Sequence, residues 1–177
     1  ETGPMGYFIH GISTEYALSL LRNDQPVLRI EKDYTPIEVA GGERGEEEAW
    51  TIRNMRNTEP NWRWNGPPIP DFKRPFSRFF GGEDGTVWVQ LHQPAKRVED
   101  TFYDPTDPDA LPDEWREPVL FDVFQEDGTY LGAVRAPDGF RGYPSPIFTR
   151  DWVLAVARDE YDVQTVVKFR VHRPGVD

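Results

Sequence analysis

Two turns of nearly identical composition constrain this chain more than any other feature. Glu83-Asp84-Gly85-Thr86 leads into Val87-Trp88-Val89, and Glu126-Asp127-Gly128-Thr129 leads into Tyr130-Leu131-Gly132. Asp-Gly between strand-like runs is a strong hairpin signal, because both residues reach positive φ at low steric cost. Two such hairpins imply antiparallel sheet through the middle of the chain. The turns recur after 126 − 83 = 43 residues, inside the roughly 40–45-residue period of propeller blades. A single recurrence of four residues is equally what two unrelated hairpins produce.

Short β-branched and aromatic runs continue on either side. In Val163–Val171, Val163, Thr165, Val167, Phe169 and Val171 share one face, while Gln164, Lys168, Arg170 and His172 share the other, with Val166 as the exception. This alternation predicts a half-exposed strand. Trp152–Ala157 is apolar on both faces, which predicts a strand covered from both sides. Val87, Val89 and Leu91 alternate with Trp88, Gln90 and His92. Further strands are expected over 7–13, 16–21, 27–34, 76–80, 119–125, 130–135 and 146–149. Seventeen prolines, 15 glycines and 6 + 7 + 11 = 24 aromatics point away from a helical protein.

One helix is expected over 43–57. Glu46, Glu47 and Glu48 load its first turns, and Arg53 and Arg56 its last, both favourable to the helix dipole. Ala49, Ile52 and Met55 give only a narrow apolar stripe, so the helix should lie on the surface of the sheets. Gly41-Gly42 lacks the glycine spacing and Lys-Ser/Thr of a phosphate loop and reads as a helix cap. Two long loops remain: a Pro- and Trp-rich stretch over 58–75 and an acidic, Pro-rich stretch over 98–118. Loops this long are either functional or mobile.

A formal net charge of −11 repels phosphate backbones and anionic bilayers, which makes nucleic acid and membrane surfaces poor partners. The absence of cysteine removes disulfides, thiolate metal sites and cysteine nucleophiles together. No apolar window approaches the ~18 residues of a membrane span. The start at Glu1, without a hydrophobic leader, suits a processed mature chain or a fragment.

Several longer motifs resemble a known family. Pro68-Ile69-Pro70-Asp71-Phe72-Lys73-Arg74-Pro75-Phe76, then Asp84-Gly85-Thr86-Val87-Trp88-Val89, resembles a loop, strand and turn of a bacterial six-bladed β-propeller family related in shape to NHL- and TolB-type propellers. Phe121–Gly132 is similar to its "FDVFDxDGxYLG" signature, and Trp152–Val156 with Asp159–Val163 to its terminal strand pair. The resemblance spans most of 16–173 and places the two Asp-Gly turns at different hairpins of one blade. It implies three strands before the helix, four from Phe76 to Arg135, and three from Pro146 to Val171, or about two and a half blades.

The expected fold is therefore all-β, with antiparallel propeller-like blades and one short helical insertion; a β-sandwich or small barrel is the alternative. The whole chain, 1–177, forms one such domain or propeller fragment. A partial blade occupies 1–40, the helix and Pro/Trp loop 41–75, a full blade 76–137 and a terminal partial blade 138–177. On this reading the chain is the C-terminal half of a longer propeller or a shortened relative.

Candidate chemistry is sparse. His10, His92 and His172 lie far apart without metal-ligand spacing. Ser13, Ser19, Ser77 and Ser145 lack a nucleophile elbow. The acidic loop over 104–114 lacks the D-x-D-x-D-G order of a calcium loop, and its prolines hinder convergence. No catalytic, cofactor or metal residues are assigned. Trp62, Arg63 and Trp64 are the candidate partner contacts, since Trp and Arg are enriched at binding hot spots. The competing reading packs both indoles on the helix or on a neighbouring blade.

The expected function is a non-catalytic interaction or scaffold module, periplasmic or extracellular. It would be an accessory subunit of a bacterial assembly such as a photosynthetic or respiratory membrane complex, with protein partners covering its open blade faces. A calcium-dependent lactonase- or esterase-like propeller enzyme is the alternative.

Overall fold

The computed structural model describes residues 6–101, 103–107, 110–159, 161 and 163–172. In chain order its elements are β1 (Phe8–Ile12), β2 (Ala17–Arg22), β3 (Gln25–Glu31), α1 (Gly41–Thr58), β4 (Phe76–Gly81), β5 (Val87–Leu91), β6 (Lys96–Arg97), β7 (Trp115–Arg116), β8 (Leu120–Phe124), β9 (Tyr130–Arg135), β10 (Phe140–Arg141), β11 (Ile147–Phe148), β12 (Trp152–Arg158) and β13 (Gln164–Arg170). Among the described residues the chain is mostly β, with one helix and several antiparallel sheets. It divides into two compact units, one drawn from 1–35, 74–92 and 119–177, the other from 36–73 and 93–118.

The first unit holds three sheets. β1-β2-β3 is a meander, and β4-β5-β8-β9 follows as a four-stranded sheet. In the third, β10 and β11 pair with opposite halves of β12 on one side, and β13 pairs along its whole length on the other. Both Asp-Gly turns close hairpins of the second sheet, β4–β5 and β8–β9, with Gly85 at φ 82° and Gly128 at φ 84°. The 43-residue spacing therefore runs between two hairpins of one sheet.

The period-2 pattern of β5 decides how the sheets stack. Val87 and Val89 join Phe124 in a core with Ile9, Leu18, Leu20 and Ile30 of the first sheet. Trp88, with Phe121 and Val123, faces the other way into a core with Phe140, Phe148, Val153 and Ala155 of the third. The second sheet is thus buried on both faces. Phe76 and Phe80 have the same parity yet belong to opposite cores. A register shift between Phe76 and Arg78 adds one residue to β4 and turns the later side chains over. Phe148, 1 % exposed, is the hub of the second core, with its ring centroid 4.9 Å from those of both Phe80 and Trp88.

The end sheets differ from the sequence expectation in one respect. β12 has Val153 and Ala155 buried, but Trp152, Leu154 and Val156 are only half-buried, so the strand is covered on one side rather than both. An apolar run of six residues does not distinguish a strand already sandwiched from one awaiting cover.

In the second unit α1 packs beside the two-residue ribbon β6–β7, within the long acidic loop. None of the helix residues is buried, as the narrow stripe predicts. Gly42 serves close packing rather than capping: a Cβ there would lie 2.6 Å from the Trp115 ring, and the N-cap residue Ala40 makes no side-chain cap. Glu46 accepts hydrogen bonds from the backbone N–H groups of Glu114 (2.8 Å) and Trp115 (3.2 Å), and Trp50 Nε1 donates to the Pro112 carbonyl (3.1 Å). Lys73, 8 % exposed, donates to Glu43, to Glu117 (2.8 Å) and to the Gln93 carbonyl (3.0 Å), so its buried charge is paired twice.

Candidate interaction site

Trp62, Arg63 and Trp64 follow the C-terminus of α1. The backbone there is fixed by Trp62 N–H to the Glu59 carbonyl (2.9 Å) and by Arg56 Nε to the Trp62 carbonyl (3.0 Å). The two indoles meet edge to face, with centroids 6.2 Å apart, and Trp64 Nε1 donates to the Gly66 and Pro67 carbonyls. Both rings are half-buried and Arg63 is exposed. The rings support each other as a preformed pair.

The first unit offers two further surfaces. Phe8 and Ile12 of β1 and Val27 of β3 are 48 %, 57 % and 53 % exposed, although Ile9, Leu18 and Leu20 beside them are buried. On the third sheet Ile147 and Val166 are 42 % and 67 % exposed. The end sheets thus each carry apolar side chains on the face turned away from the cores.

Between the first and second sheets lies the most concentrated group of polar side chains. Asp122, 1 % exposed on β8, accepts from Tyr16 (2.7 Å) and Lys32 (2.8 Å) at one oxygen and from Tyr130 (2.8 Å) at the other. Burial, reinforced by the Asp122 hydrogen bond, pushes the Tyr16 phenol well up and raises that of Tyr130. Burial lowers the Lys32 ammonium, but the hydrogen bond and charge of Asp122 outweigh it and raise it. Phenols held neutral and an ammonium held charged are poorly suited to proton transfer at neutral pH. The cluster can tie two sheets together, and its composition was not singled out in the sequence because its members are up to 106 positions apart.

The other candidates are dispersed. His10 lies on β1, His92 follows β5 and His172 follows β13. In the acidic loop, Asp104 caps its own turn through the Thr106 N–H and hydroxyl, Asp113 pairs with Arg116, and Glu114 pairs with Arg97. Asp109 lies outside the described residues, as do Glu160 and Asp162 of the terminal motif. Among the described residues, no group of three or more His, Asp or Glu side chains is placed to hold a metal ion. Among them, too, no helix is long and apolar enough to cross a membrane. No protein-family model, curated protein or solved structure matches this chain.

Proposed function

We propose that this chain is a non-catalytic interaction module of propeller-like blades, an exported accessory subunit of a larger bacterial assembly. The observation that carries the reading is the state of the three-sheet stack. The second sheet is covered on both faces, while each end sheet leaves apolar side chains bare on its far face. The three antiparallel sheets follow one another in chain order, the first a meander and the other two four-stranded, and this succession supports a reading as adjacent blades. A run that does not close on itself leaves two sheet faces needing cover, and bare apolar faces mark interaction surfaces. The preformed Trp62–Trp64 knob adds a rigid aromatic pair of the kind enriched at hot spots.

Size-exclusion chromatography with light scattering on the isolated chain tests this reading. Self-association, or a broad melt sharpened by a partner, is expected. A monomer of 20.5 kDa that melts cooperatively without any partner overturns it.

A further inference from the structure

A cavity of about 400 Å³ opens on the flank of α1, within the second unit. Gly45 and Ala49 form its helical wall, and the Trp50 and Trp115 rings with Leu111 and Pro112 complete the apolar lining. Its volume falls within the roughly 300–1,000 Å³ of small-molecule sites. The walls are pinned by bonds already in use: both oxygens of Glu46 accept backbone N–H groups, and Trp50 Nε1 donates to the Pro112 carbonyl. Gly45 is the informative position. Glycine inside a helix is less stable than alanine, so its presence calls for a reason. A Cβ at Gly42 would strike the Trp115 ring, but one at Gly45 would meet nothing within 4 Å among the described residues. Packing requires glycine at 42 and not at 45, where its effect is to leave the cavity wall open.

We infer that this cavity binds a small quaternary alkylammonium compound of the choline type, its methylated nitrogen against the Trp50 and Trp115 rings and beside Glu114. Such a site is independent of the partner-binding faces proposed above. The charged groups of the lining are two carboxylates, Glu46 and Glu114, against one guanidinium, Arg97. Arg97 holds Glu114 through Oε2 alone, at 2.8 Å, so Glu114 Oε1 has no hydrogen-bond donor among the described residues. Indole faces attract cations more strongly than other aromatic rings. Trp50 already carries one within this chain, with the Arg53 guanidinium 5.6 Å from its centroid. A primary ammonium would leave N–H groups unsatisfied against Ala49, Leu111 and Pro112, whereas a methylated one presents only apolar surface to them. The N-terminal end of a helix disfavours cations, but Glu43 in the first turn and Glu46 beyond it offset that here.

Choline is the probe, titrated into the whole chain while the indole N–H resonances of Trp50 and Trp115 are followed. The other arms are the uncharged alcohol in which carbon replaces its nitrogen, and phosphatidylcholine vesicles. Choline should shift both resonances to saturation and bind about tenfold more tightly than the alcohol. Gly45→Ala should raise the melting temperature yet weaken choline binding, an opposition that a purely structural glycine would not give. Ala49→Leu, which fills the cavity, should abolish binding. Glu114→Gln should weaken it severalfold, and Arg97→Gln, which releases Glu114, should strengthen it. Vesicles that shift the same resonances would assign the ammonium to a lipid headgroup, and silent vesicles to a free compound. Equal binding of choline and the alcohol overturns the inference, as does choline binding that survives Ala49→Leu. Resonances that choline leaves unmoved overturn it as well, and so does weaker binding by Arg97→Gln, which would mark the cavity as an anion site.

Discussion

The Tyr16 hydroxyl donates to Asp122 across 106 positions of sequence, at 2.7 Å, and so joins the start of β2 to the middle of β8 inside the first core. With Lys32 and Tyr130 on the same carboxylate, removing Asp122 leaves one ammonium and two phenols without their acceptor. Asp122→Ala is expected to cost about 2–3 kcal/mol, below the full penalty of a buried pair because Lys32 stays partly in water. Tyr16→Phe should cost about 1 kcal/mol. Urea unfolding measures both. Because the folded-state values of Tyr16 and Lys32 are raised, their contribution is complete at neutral pH and is lost as pH rises through the alkaline range. Wild-type stability should fall more steeply above pH ~10 than that of Asp122→Ala.

Asp84 sets the acid side. Burial would raise its carboxyl, but hydrogen bonds from the Thr86 hydroxyl and from the N–H groups of Arg150 and Thr86 outweigh that and hold it below the usual range. Its contribution is therefore present at neutral pH and disappears as pH falls through the depressed folded value. Asp84→Asn should lose about 1 kcal/mol at neutral pH and show a flatter stability profile below pH ~4. Thermal melts across that range decide it, and an unchanged acid profile would count against the assignment.

Gly139 has φ 80°, and a Cβ there would lie 2.3 Å from the Arg158 carbonyl oxygen, a backbone atom that cannot swing aside. Gly139→Ala should destabilise by about 2 kcal/mol or more, combining left-handed strain with displacement of β12 from β10. Gly6, also at positive φ but with open space around it, is the control: Gly6→Ala should cost about 1 kcal/mol or less.

Trp62→Ala with Trp64→Ala removes half-buried rings outside the two hydrophobic cores. The melting temperature should change little, by the equivalent of about 1 kcal/mol at most. Association with a native partner, measured by calorimetry, should weaken at least tenfold. A large loss of stability with unchanged association would show that the pair serves folding alone.

The sheets were legible because local chemistry and tertiary environment agree there. Tyr130–Arg135 is bounded by an Asp-Gly turn and begins and ends where its pattern does, and Glu and Arg at opposite ends mark α1 within two residues. Three elements were missed. β6, β7 and β10 are two residues each, too short for any periodicity, and β7 is held by Glu46 from the helix rather than by its own composition. The Asp122 cluster was invisible for a different reason: its four members come from β8, β9 and the segments flanking β2 and β3, so only the stacking of two sheets makes them neighbours. Trp62 and Trp64 were visible as residue types, but their contact with each other depends on a bend that the prolines around them allow without specifying.

The order in which the sheets appear along the chain bears on synthesis. Leu18 and Leu20 leave the ribosome long before Val87 and Val89, and Phe124, which closes the same core, follows about 100 residues after Leu20. At ordinary translation speeds that is a delay on the order of 5–20 s. During it the first hairpins have an apolar side and nothing downstream to set it against. Quality-control factors that meet nascent chains would encounter this stretch before its partner strands exist, and the yield of folded protein depends on how well it is shielded until β8 arrives.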